Sequence, residues 1–150
     1  EFPITWQIPT IILLTLIFHK KVVMRAFSIY IILGVFIFPV FHQGGSIGYL
    51  LTPNFGYLLG LYPLIKIIDN LNNRNKINIG KFLKNGFLAI GAMHLTGISY
   101  NFIQIIFYSQ FNLFLYNLGK YSLGKIGYHF LMLFPLLLLI KPIERLKRSK

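Results

Sequence analysis

Cysteine is absent from the 150 residues, which excludes a disulfide framework and any thiolate metal site. Acids are almost absent: Glu1, Asp69 and Glu144 are the whole supply, so no carboxylate pair exists for acid–base chemistry. Asp69 and Glu144 each fall among cations, where neutralising a neighbour is the simplest role. Charged residues make up 12% of the chain, against about 25% in an ordinary soluble domain. What replaces them is apolar, with 55% hydrophobic and 17% aromatic residues. That balance points to a bilayer as the solvent.

The net charge of +12 raises the question of nucleic acid. A phosphate-binding groove interleaves Lys and Arg with exposed aromatics along one face. Here the cations sit in tight clusters between apolar runs, the pattern of short loops between membrane spans, and nucleic-acid binding is set aside. Five apolar segments are expected to be helices: residues 8–18, 22–38, about 54–68, about 82–107 and about 126–140. None alternates with period two, so a barrel is excluded in favour of an all-α, polytopic transmembrane helix bundle. Several runs fall short of the about 20 residues that cross hydrocarbon, which tilt accommodates.

Charge placement orients the bundle. With the first segment starting outside, Lys20, Lys21 and Arg25 are inside. So are Lys66, Arg74, Lys76, Lys81 and Lys84, and the tail cations Lys141, Arg145, Lys147, Arg148 and Lys150. Only Lys120 and Lys125 remain outside, as the positive-inside rule prefers. The C-terminus is then cytoplasmic, Glu1 lies outside, and residues 1–150 form a single integral membrane domain. Glu at position 1, five spans and no basic leader imply an N-terminally incomplete chain. The Asn-rich stretch 69–81 reads as a solvated inner turn.

For chemistry, His19, His42, His94 and His129 are the histidines, and none forms a close ligand pair such as HExxH. His94 lies mid-helix in AIGAMHLTG, where an ionisable group inside a membrane is a functional hypothesis by default. His42 and His129 lie near the same outer rim. Without a carboxylate partner these residues make a weak metal site and a weak case for an enzyme. The glycines say more. Gly56 and Gly60 share a helix face and permit close packing. The outer loop PVFHQGGSIGYLLTPNFGYLLG (39–60) holds QGGS, which frees the backbone for positive φ, between Pro39, which stops one helix, and Pro53, which starts the next. Phe41, Tyr49 and Asn54 offer aromatic walls and an amide. A small-molecule pocket and a flexible surface turn both fit these residues.

Three stretches narrow the choice. FPITWQ (2–7) resembles a P-x-T-x-Q opening, LGVFIFPVFHQGG (33–45) a glycine, P-x-F and glycine-rich turn, and LTPNFGYLLG (51–60) a P-T-G-G-Y-L-x-G signature. In that order and spacing they resemble the BioY family, the biotin-capturing S components of energy-coupling factor (ECF) transporters. The resemblance implies a six-helix fold with five spans in this chain, and biotin uptake across the plasma membrane. It implies partner ECF transmembrane and ATP-binding subunits, and no cofactor. The implied pocket uses Gln7, Phe41, Gly44, Gly45, Asn54, Gly56 and Tyr57. One departure stands out. The family's G-D-x-x-K at the start of the last helix is replaced by GKIGYHFLML (124–133), with Tyr128 at the Asp position. Lys125 or His129 is then the candidate partner of the biotin carboxylate. The alternatives are the same architecture for another vitamin-like substrate, and an intramembrane His-dependent enzyme.

Overall fold

The computed structural model describes residues 6–41, 44–71, 76–108 and 111–148. Among these residues no strand forms, and the all-α expectation holds. The helices are α1 (Gln7–Ile17), α2 (Lys20–Phe36), α3 (Pro53–Leu59), α4 (Leu61–Asp69), α5 (Ile79–Tyr108), α6 (Phe111–Asn117), α7 (Gly124–Leu131) and α8 (Leu133–Arg148). A 3₁₀ turn (Ile47–Leu51) precedes α3, and a wide π turn (Leu118–Leu123) joins α6 to α7.

Two of the five expected helices are broken, and proline explains both breaks. Pro63 and Pro135 each follow a helix end by four residues: Leu59 closes α3 and Leu131 closes α7. A proline ring clashes with the carbonyl four residues back and cannot donate to it, so the helix bends there. Around the second break the axis turns by 41°. Among the described residues no single helix is long and apolar enough to cross a membrane; the bent pair Phe111–Leu131 and Leu133–Lys147 is.

The tightest packing lies between α3–α4 and α5. A side chain at Gly60 would meet the Met93 backbone, its carbonyl oxygen at 2.5 Å and its Cα at 2.9 Å. One turn earlier Gly56 abuts Tyr100, and in return the Tyr57 ring lies on Gly97. The Gly56–Gly60 face predicted from spacing therefore packs on one helix. Beside it Ile12, Leu16, Leu64, Ile65 and Ile68 are fully buried. Buried hydroxyls inside helices are satisfied locally: Thr15 donates to the Ile11 carbonyl at 2.7 Å and Ser28 to Met24 at 2.9 Å.

The ends of the bundle differ in chemistry. At one end His19 caps α2 by accepting from the Lys21 N–H at 3.3 Å. Buried Asp69 accepts from the Lys20 N–H and pairs with its ammonium, both at 3.2 Å, tying the α1–α2 turn to the end of α4. Glu144 accepts from the Ile77 N–H at 2.6 Å, tying α8 to the chain entering α5. The opposite end is aromatic. Gly44 (φ 114°) and Ser46 (φ 101°) turn the chain back onto α2, and Ser46 N–H donates to the Gly34 carbonyl at 3.1 Å. Phe41 is buried over Gly34 and stacks on Tyr49 at 4.5 Å, and edge contacts continue through Phe55 to Tyr100. The Tyr100 hydroxyl donates to the Leu50 carbonyl and Gln104 to Leu51 at 2.8 Å, anchoring the 3₁₀ turn. This loop is a packed cap. His42 and Gln43 lie outside the described residues, as do Glu1, Arg74, Lys150 and residues 2–5 of the first motif.

Gly60→Val is expected to lower stability by about 1–3 kcal/mol, because neither helix backbone can retreat. Thermal unfolding in detergent checks this against Gly127→Ala, whose added methyl meets nothing within 4 Å and which should leave the midpoint unchanged or slightly higher.

Candidate substrate-binding site

A cavity of about 110 Å³ lies between α1, α3, α5 and α7, just beneath the aromatic cap. Ile8, Leu58, Leu61 and Met93 give it apolar walls. Gln7, Asn54, Tyr57, Lys125 and His129 bring polar groups, and Tyr49 and Tyr121 close the rim. Each position has a local cause. Pro53 starts α3 at its first turn, which sets Asn54 and Tyr57 on the face towards α5. Gln7 opens α1 and donates to the Tyr30 hydroxyl at 3.3 Å, and Tyr30 in turn donates to the Val40 carbonyl of the cap at 3.3 Å. Tyr121 sits in the π turn, and the Lys120 and Lys125 ammonium groups lie 5.3 and 5.4 Å from its ring centre. Burial pushes the Tyr49 phenol up to about 12, with Tyr30 and then Tyr121 adding to the shift.

The candidates from the sequence divide. Gln7, Asn54, Tyr57 and His129 meet at this cavity, and Lys125 joins them one turn before His129. Phe41 belongs to the aromatic cap and Gly44 to its turn. Gly45 lines a separate hollow of about 430 Å³ between the end of α2 and the 3₁₀ turn. Gly56 serves the α3–α5 contact. Tyr128, which stands where the family has Asp, is 45% exposed and off the cavity.

Sequence reasoning missed the polar chain behind the wall. The Tyr57 hydroxyl is 2.7 Å from Ser122 Oγ, which is 3.1 Å from His94 Nδ1; His94 Nε2 is 3.0 Å from His129 Nδ1. His94 and His129 thus converge, although 35 residues separate them. Among the described residues no group of three His, Cys, Asp or Glu could hold a metal ion. The four-residue spacing of Tyr121, Lys125 and His129 was a readable stripe; Ser122 carried no signal, because its direction depends on the π turn.

Fold and site together define a helix bundle with a small-molecule cavity between its helices. The chain belongs to the BioY family, whose sequence pattern matches residues 1–134. It is 27% identical over 104 residues to a protein of Lysinibacillus sphaericus described as "probable biotin transporter BioY", covering 69% of this chain and 53% of that one. The chain thus spans about half the length of that curated relative. No solved structure matches it.

Folded Tyr49 keeps its proton to higher pH than a free phenol (ordinarily 10.0), so its contribution to stability is whole below about pH 10 and is lost as pH rises through about 12. An absorbance titration of the wild type minus Tyr49→Phe is expected to show a phenol ionising near 12; a midpoint near 10 would contradict the burial.

Proposed function

We propose that this chain spans the plasma membrane five times and captures biotin from the outer face, as the substrate-binding component of an ECF-type transporter. The observation that carries the reading is the cavity in a BioY-family chain, where Gln7, Asn54, Tyr57, Lys125 and His129 converge on apolar walls. A fused ureido ring offers two N–H donors and a carbonyl, which Asn54 can complement, while Lys125 and His129 face the carboxylate. Gly44, Gly45 and Phe41 support the cap above, and Gly56 allows α3 to approach α5.

The outer surface supports the bilayer. Phe36, Ile106, Leu123, Leu131 and Leu138 are 61–80% exposed, and an open, nearly apolar groove of about 530 Å³ runs between α1 and α2. The five spans are α1, α2, α3–α4, α5 and α7–α8. Broken helices are tolerated at membrane depth where neighbouring protein covers the freed backbone. In this reading the Asp69–Lys20 and Glu144 links lie at the cytoplasmic end, with the C-terminus there and the ECF transmembrane and ATP-binding subunits as partners. The chain acts as a transport component and not as an enzyme. At about 110 Å³ the cavity is below the about 300 Å³ at which drug-sized sites begin, so binding requires the cavity to widen at the aromatic cap. A second reading, the same architecture for another small carboxylate, is favoured by Tyr128 lying off the cavity.

Labelled biotin is expected to bind the purified protein saturably at micromolar concentration, with desthiobiotin competing better than lipoate; no saturable binding would sink this reading. Asn54→Ala should weaken binding by about 1–3 kcal/mol through unpaired ligand N–H groups, and unchanged affinity would remove Asn54 from the site.

A further inference from the structure

His129 is 5% exposed, and its Nε2 is buried with no hydrogen-bond partner. Native proteins rarely leave such an atom unpaired, and a ligand is one accepted reason. His129 lines the cavity and His94 occupies its Nδ1, so Nε2 is the one ring nitrogen left without a partner. Taking the cavity as the ligand site, we propose that Tyr57, Ser122, His94 and His129 form one proton-ordered relay that holds His129 as an Nε2–H donor, onto which the ligand places a carboxylate or carbonyl oxygen.

The order follows from counting protons. A neutral imidazole carries a single N–H, so the direction of the His94–His129 contact fixes both tautomers, while the Ser122 hydroxyl, with one proton and two lone pairs, can donate or accept at either neighbour. In one direction Tyr57 donates to Ser122, Ser122 to His94 Nδ1, and His94 Nε2–H to His129 Nδ1, which leaves the proton of His129 on Nε2. In the reverse direction His129 Nδ1–H donates to His94, His94 Nδ1–H to Ser122, and Ser122 to the Tyr57 oxygen. The first direction uses the phenol as donor and imidazole nitrogens, the better bases, as acceptors. The second asks imidazole N–H groups to donate to a hydroxyl and a phenol oxygen to accept, and is the poorer match. The first therefore prevails. Lys125, one turn earlier on the same cavity wall, adds positive charge and favours an anionic oxygen there. His94 and Ser122 touch no ligand in this scheme and act as positioning residues.

Nitrogen-15 NMR of histidine-labelled protein in detergent reads the tautomers directly, without any ligand. Both His94 and His129 are expected to carry the proton on Nε2 with Nδ1 bare. Ser122→Ala and His94→Phe should each turn His129 into a tautomer mixture, and His94→Phe should raise the biotin Kd about tenfold or more. If His94→Phe does not fold, Ser122→Ala carries the comparison. A bare Nε2 on wild-type His129, or variants that leave its tautomer unchanged, would overturn the relay. Added biotin should shift the His129 Nε2 signal, and biotin binding without that shift would also overturn the assignment. Biotin methyl ester then separates the two oxygen sources: an equal shift assigns the ring carbonyl, a lost shift the carboxylate. The ordered tautomers without biotin binding would support the relay and reject only the choice of vitamin.

Discussion

Close contact between α3–α4 and α5 is the constraint on which the remaining structure depends. Gly60 admits the Met93 backbone and Gly97 admits the Tyr57 ring. Only at that separation does the Tyr57 hydroxyl reach Ser122, and through it His94. In lipid, apolar burial between helices gives little driving force, because the acyl chains are as apolar as leucine. Small residues that let backbones approach, and polar groups linked across helices, then decide the arrangement. The Tyr62 hydroxyl, donating to Ser28 Oγ at 2.8 Å, performs the same service between α2 and α4.

The two ends of the bundle solve different problems. At the charged end, the Asp69 and Glu144 carboxylates accept from main-chain N–H groups of distant segments, so they fix loops as well as balance cations. At the aromatic end, the ladder from Phe41 through Tyr49 and Phe55 to Tyr100 covers the cavity with rings instead of charge. Phe41 and Ser46, on either side of the glycines, both pack on Gly34.

Helix content, the Gly56–Gly60 face and the pairing of Asp69 with a neighbouring cation were legible because each depends on local spacing or composition. Gln7, Asn54 and Tyr57, picked out by motif order, and His129, picked out where the family's charges are missing, meet at one cavity. Phe41 and Gly45 share the same motifs yet serve the cap, since a motif records position along the chain and not which way a ring turns. The helix breaks at Pro63 and Pro135 were readable from the prolines, but the apolar runs hid them. His94 and His129 stand 35 residues apart, so only the docking of α7 on α5 could bring them together. The π turn that aims Ser122 at both has no sequence signature.

The most direct measurement is an experimental structure of the protein in a lipid nanodisc with saturating biotin. The account predicts ligand density between Asn54 and His129, with α3 still seated on α5 at Gly60 and Gly97. Ligand density elsewhere, such as in the hollow beside Gly45, or an empty cavity at saturating biotin would contradict it.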